Sequence, residues 1–163
     1  MKAIVAVDKN WGIGKDNKLL FHIKEDMKFF KETTINKVVV MGRRTFLSLP
    51  NGEPLKDRMN LVITNKAKDL RYGNVVFGNM EEIFEELKKY DTNDVFVIGG
   101  GSIYKQLIEY CDTIYVTRVD EAYDADTFMP DLTEEGFMFE EVLDYGKTQD
   151  GKYWSIEKWI GCF

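Results

Sequence analysis

Short apolar runs alternate along the chain with stretches whose apolar residues recur at helical spacing. Runs over about 2–8, 38–41, 61–64, 75–77, 95–98 and 113–119 read as strands. Helical periodicity predicts helices over about 24–34, 43–49, 81–89 and 102–110. The tail, Phe137 to Leu143 and Tyr153 to Ile160, reads as a hairpin, with turn chemistry supplied by Asp150-Gly151. Strands alternating with helices imply a mostly parallel sheet covered on both faces, with the hairpin as an antiparallel edge. No repeat, low-complexity tract or linker interrupts the pattern, so 1–163 reads as one α/β domain. In such sheets ligands bind beyond the carboxyl ends of the strands, where the strand order reverses.

One polar residue breaks the first helical pattern. At about 100° per residue, Ile23, Met27, Phe29 and Phe30 share one side of the helix. Lys24, Glu25, Lys28, Lys31 and Glu32 take the other. Asp26 falls inside the apolar arc, with no basic residue on its face. A carboxylate there is costly unless something pairs with it. A donor-rich ligand in an apolar cleft would do so. A backbone contact at the edge of a narrower stripe would also do, and the helix alone does not choose.

Composition narrows the classes. The 163 residues, 44% of them hydrophobic, suffice for one globular domain with a sizeable core. A net charge of −6 argues against general nucleic-acid or anionic-membrane binding, so neither partner is expected. Cys111 and Cys162 are too few and too far apart for a disulfide scaffold or a zinc site. They read as free thiols in a reducing, cytoplasmic setting. His22 is the only histidine, which excludes a multi-histidine metal site and argues against a nucleophilic triad. No metal is expected. The first apolar run is too short for a signal peptide, and no span is long enough to cross a membrane.

Three strand ends carry similar chemistry. After Val40-Met41, Gly42 ends a strand, and Arg43, Arg44 and Thr45 open a helix. Arginines at a helix start suit phosphate, though a solvated pair is the plain alternative. After Val97-Ile98, three glycines and Ser102 separate strand from helix. They allow close backbone approach to a ligand, or simply a tight turn. After Ile63, Thr64, Asn65 and Lys66 are weaker signals. Together the three ends suggest a polyphosphorylated ligand such as a dinucleotide. Arg43 and Lys66 favour NADP over NAD. The stretch from Asp8 to His22 reads as a loop rich in Trp11, Ile13, Leu19, Leu20 and Phe21. It is either a mobile lid over an apolar ligand or a segment packed on the core.

These residues resemble dihydrofolate reductase nearly end to end. The resemblance rests on Gly12-Ile13-Gly14 with Asn17, Asp26 with Phe30-Lys31, Met41 to Thr45, Val97 to Tyr104, and Asp126 to Pro130. It implies NADPH-dependent reduction of 7,8-dihydrofolate by a cytoplasmic monomer that folate analogues would inhibit. It implies an eight-stranded, mostly parallel sheet with four helices, and a lid from Lys9 to Lys24. Asp26 would hold the pterin, supported by Thr117, and burial should raise its pKa. Tyr104 would lie close to the nicotinamide, with Phe21 also in the catalytic set. Ile4, Val5 and Ile98 would line the pterin site. Met27, Phe30, Leu49 and Leu55 would form the aminobenzoyl slot, and Arg58 would clamp the glutamate carboxylate. NADPH would be held by Ala6, Ile13, Gly14, Asn17, Gly42, Arg43, Arg44, Thr45 and Ser48. Thr64, Asn65, Lys66, Ile98, Gly99, Gly100, Gly101, Ser102, Ile103, Tyr104, Gln106 and Thr127 would complete its site. A cis Gly99–Gly100 peptide is implied as well.

Leu20-Phe21 departs from the family's usual Pro-Trp, and Phe lacks the indole N–H that would hold a water. The loop Pro50 to Glu53 also differs, which softens Leu55 more than Leu49. Two rival readings stay open on the sequence. One is a reductase of another heterocycle on the same architecture. The other is a non-catalytic nucleotide-binding module, which would not need Asp26.

Overall fold

Apolar side chains on both faces of the central strands demand cover on both sides. The computed structural model, which describes residues 1–66 and 70–162, supplies it. The chain runs β1 (Lys2–Val7), β2 (Gly12–Lys15), β3 (Lys18–Leu19), α1 (Lys24–Thr34), β4 (Val38–Gly42) and α2 (Arg43–Leu47). It continues through β5 (Met59–Ile63), β6 (Leu70–Tyr72), β7 (Val75–Gly78), α3 (Met80–Leu87), β8 (Val95–Gly99) and α4 (Gly101–Leu107). The last elements are β9 (Thr113–Val119), β10 (Thr127–Phe128), β11 (Phe137–Lys147) and β12 (Tyr153–Gly161). The main sheet has the order β11-β12-β9-β1-β8-β4-β5-β7-β6. Pairs from β9 to β7 are parallel. The tail hairpin and β6 are antiparallel.

Alternation along each strand sorts its side chains into two layers. Val38, Val40, Leu61, Val76 and Val97 face Ile83 of α3 and Ile103 and Leu107 of α4. Val39, Met41, Val62 and Val75 face Phe46 of α2, with Leu49, Leu55 and Ile98 packed alongside. A capping box fixes the start of α3: Asn79 accepts from the Glu82 N–H, and the Glu82 side chain accepts from the Asn79 N–H.

The structure adds three features to the expected frame. The main sheet has a ninth strand, β6, whose three exposed residues give no alternation to read. Tyr72 holds it by stacking on Phe77, with ring centroids 5.7 Å apart. Second, the segment read as a loop contains β2 and β3, which join β10 in a small sheet ordered β10-β2-β3. Asp16 and Asn17 form its tight turn, with φ of 51° and 62°. Such turns need positive φ at both central positions, which Asn and Asp tolerate. Third, α1 buries only Thr34. Ile23, just before the helix, joins Val119, Trp154 and Ile156 in a separate cluster. Phe29 meets Tyr115 edge-on. Met27, expected on a core-facing stripe, is 60% exposed. The apolar side of α1 therefore walls an open cleft.

A buried carboxylate ties the two sheets together. Asp8, at the end of β1, is fully buried. It accepts hydrogen bonds from the N–H groups of Asn10 and Gly12 at 2.8 Å and of Tyr123 at 2.9 Å. Asp8→Ala would leave three N–H donors unpaired, the Gly12 one buried and those of Asn10 and Tyr123 only partly so. A loss of about 1–3 kcal/mol in urea unfolding is expected, chiefly from the buried Gly12 N–H. A cost under ~1 kcal/mol would mean that water replaces the carboxylate.

Candidate active site

Register carries the three similar strand ends to one edge. β8, β4 and β5 are neighbours, with Met41 opposite Gly99 and Gly42 opposite Ile63. Arg43 and Arg44, both exposed, open α2 directly after Gly42. Thr64 is buried and accepts a hydrogen bond from the Lys66 N–H at 3.1 Å. The Gly99–Gly100 peptide is cis, as the resemblance implied. A side chain at Gly101 would meet Thr127 Cγ2 at 2.7 Å, so the turn rests against the small sheet. At Gly100 an added Cβ would meet only Thr45 Oγ1, at 3.5 Å. Gly100 is therefore free of crowding within the chain, and a bare backbone there leaves a cradle that a ligand can enter. Ser48 and Gln106 are engaged locally: Ser48 donates to the Thr45 carbonyl, and Gln106 to the Ser102 carbonyl and hydroxyl. Asn17, Asn65 and Lys66 are exposed.

The carboxylate stands across the cleft. Asp26 lies in the first turn of α1, half-buried. Thr117 of β9, itself buried, donates its hydroxyl to Asp26 Oδ1 at 2.5 Å. Burial pushes the Asp26 carboxyl above the usual carboxylate range, and the Thr117 hydrogen bond opposes that rise. No salt bridge reaches Asp26 among the described residues. Tyr104 is buried and donates its hydroxyl to the Ile4 carbonyl at 2.7 Å. Its phenol is held well above the usual range, first by burial and then by the Asp26 charge. A Cβ on Gly99 would lie 3.3 Å from the Tyr104 ring. Asp26, Ile4, Tyr104 and the glycine turn thus share one locality.

The far end of the cleft carries a fixed cation. Arg58 is only 9% exposed. Its Nε donates to the Lys56 carbonyl at 2.9 Å and its Nη1 to Thr34 Oγ1 at 3.1 Å. Its guanidinium carbon is 6.0 Å from the centroid of the Phe30 ring. Burial lowers its pKa, and the neighbouring Asp57 opposes this.

Two expected contacts take another form. Val5 and Ile103 send their side chains into the α3–α4 layer, so only their backbone can face the cleft. Ile4 and Ile98 lie outside that layer's buried cluster, as the alternation of β1 and β8 requires. Some contacts of these residues had no sequence reading. Phe21 packs on Tyr123, with centroids 5.7 Å apart. Asp126 accepts the Asp16 N–H at 3.0 Å, and its own N–H donates to the Gly14 carbonyl at 2.9 Å. Such links join segments far apart in sequence, and no local pattern announces them.

A family description, dihydrofolate reductase, matches residues 1–155. The chain belongs to the dihydrofolate reductase family. It is 34% identical over 131 residues to dihydrofolate reductase of Bacillus subtilis, covering 80% of this chain and 76% of that one. For the Haemophilus influenzae enzyme the figures are 34% over 139 residues, 84% and 82%. The bifunctional dihydrofolate reductase-thymidylate synthase of Daucus carota is 38% identical over 153 residues, but the match spans 29% of that longer protein. A solved structure of dihydrofolate reductase from Enterococcus faecalis, complexed with NADP(H) and RAB-propyl, superposes with a TM-score of 0.82. It is 33% identical and is matched over 98% of this chain and 94% of its own. Dihydrofolate reductases are NADPH-dependent oxidoreductases, and this chain is one of them. Its glycine cradle and strand-end cations fit that cofactor.

The raised Asp26 pKa has a defined effect on stability. Between the usual value near 3.8 and the raised folded value, the folded state holds more proton than the unfolded chain. Stability is therefore lost as pH rises through that window. Asp26→Asn removes this loss, so the variant should be at least as stable as wild type near neutral pH. The advantage should disappear below the usual carboxyl value. Thermal unfolding of both proteins across pH checks this, and a less stable variant at neutral pH would contradict it.

Proposed function

We propose that Asp26 and Arg58 grip opposite ends of dihydrofolate while the three strand ends hold NADPH, and that this chain works as a cytoplasmic monomer. The observation that supports this most is a half-buried carboxylate fixed by Thr117 with no counter-ion among the described residues. NADPH, when bound, supplies the hydride that reaches C6 of the pterin. Asp26 accepts hydrogen bonds from the 2-amino group and a ring N–H of the substrate. Its charge favours a pterin protonated at N5, which eases hydride arrival at C6. The N5 proton comes through water admitted at the lid, because Asp26 sits at the other end of the ring. Ile4 and Ile98 bound the pterin, and Phe30, Leu49 and Leu55 bound the aminobenzoyl ring. Arg43, Arg44, Thr45 and Thr64 take the phosphates, with Arg43 placed for a 2′-phosphate. Phe21 cannot donate to a water, so an ordered water near Asp26 loses the donor that the family's usual tryptophan offers, while the reaction does not depend on it. No helix among the described residues is long and apolar enough to cross a membrane.

Loss of NADPH absorbance on adding dihydrofolate tests the reaction, and single-turnover rates across pH test Asp26. Asp26→Asn should slow hydride transfer by at least ~100-fold near neutral pH. The rate should recover toward acid, where dihydrofolate is protonated before it binds. The wild type should lose rate as pH rises through the apparent pKa of the complex, which belongs to the coupled site. Near wild-type hydride transfer in the variant at neutral pH would sink the role given to Asp26.

Arg58 separates substrates by their tails. Arg58→Leu should raise the KM for dihydrofolate by roughly tenfold or more, the worth of a charge-assisted pair. A pterin lacking the glutamate tail should be affected much less. Equal losses for both substrates would assign Arg58 a purely structural role.

A further inference from the structure

Trp11, immediately before β2, has a left-handed backbone with φ of 67°. Non-glycine residues other than Asn and Asp rarely adopt it. Contacts to the indole and the backbone hold it there. The Arg118 guanidinium carbon stands 4.2 Å from the Trp11 ring centroid. Trp159 meets the same indole edge-on, with centroids 5.8 Å apart. Glu157 fastens both partners: Oε2 is 3.5 Å from Arg118 Nε, and Oε1 accepts the Trp159 Nε1–H at 3.0 Å. The Arg118 and Glu157 side chains are 21% and 12% exposed, so solvent screens the pair only partly. The Trp11 carbonyl accepts the Met129 N–H at 2.8 Å.

The small sheet that begins just after Trp11 touches the glycine turn. A Cβ on Gly101 would lie 2.7 Å from Thr127 Cγ2 of β10 and 3.8 Å from Ile13 Cδ1 of β2. Thr127 is paired with Gly14. The small sheet therefore leans directly on the turn that opens α4, and Trp11 is the residue just before its first strand.

We propose that Arg118, with Glu157 and Trp159, positions β2 against the Gly99–Ser102 turn through Trp11 and so sets the affinity for NADPH. Arg118 is a positioning residue, acting only through the Trp11 indole. The inference rests on the reading that NADPH occupies that turn.

Arg118→Met keeps the bulk and removes the cation. Its Kd for NADPH, measured by fluorescence, should rise about five- to tenfold, the range of a partly desolvated cation–π contact. Amide exchange at residues 12–15 should quicken selectively, with β4 and β5 unchanged. Arg118→Lys should retain most of the wild-type affinity, since it keeps the charge over the ring. The double variant Trp11→Leu/Arg118→Met should bind no more weakly than the worse single variant, because both break one unit. Unchanged NADPH affinity, uniform rather than local exchange, no rescue by lysine, or additive losses would each overturn the proposal. If Arg118→Met does not fold, Glu157→Gln removes the ion pair while leaving an acceptor for Trp159. It should weaken NADPH about two- to threefold, and no change would overturn the proposal. Exchange needs no ligand, so it judges the cluster even if the wild type fails to turn over dihydrofolate, a failure that would count against the functional reading instead.

Discussion

The parallel register between β9 and β1 sets Thr117 opposite Ala6, and a slip of one residue would turn Thr117 to the other face of the sheet. Asp26 would then lose the Thr117 hydroxyl that donates to it. The same register, carried through β8, β4 and β5, aligns the three strand ends. The cleft is therefore a property of the sheet as a whole. Its floor is fixed by backbone pairing, while its walls come from a helix and a small sheet that pairing does not control.

Of those walls, the helix is the more thinly packed. α1 buries one side chain along its length and has no side-chain cap at its start. It is anchored by Ile23 before the first turn and by Thr34, bonded to Arg58, at the last. Between these anchors lie an uncompensated carboxylate and an open apolar surface. Each opposes folding unless a ligand covers it, and the close-packed layers under α2, α3 and α4 offset that cost. A substrate that pairs with Asp26 and covers Phe30 relieves both at once.

Much of this was readable in the chain because the exceptions were chemical. A carboxylate on an apolar arc pointed to Asp26, and glycines followed by cations pointed to the strand ends. The parity of the buried strands was not readable. In a strand apolar on both faces, nothing in the sequence says which residues turn to which layer. Val5 therefore came out facing the core, while Ile103 does so as part of the helix face that α4 packs on the sheet. β3, β6 and β10 are two or three residues long, below the length at which alternation carries information. The Arg118–Trp11 contact joins residues distant in sequence, and only the folded register brings them together.

Asp8 changes what the lid can be mechanically. Its carboxylate grips the chain on both sides of the small sheet, at Gly12 and at Tyr123. β2 is therefore not the free end of a flap. If this stretch moves as a lid, its hinge lies beyond β2, toward the Asp16–Asn17 turn and Leu20, while Ile23 holds the far end. A lid confined to that stretch is shorter than the loop suggests, and closing a shorter segment forfeits less chain entropy. Asp8 would thereby limit how far such a lid could open.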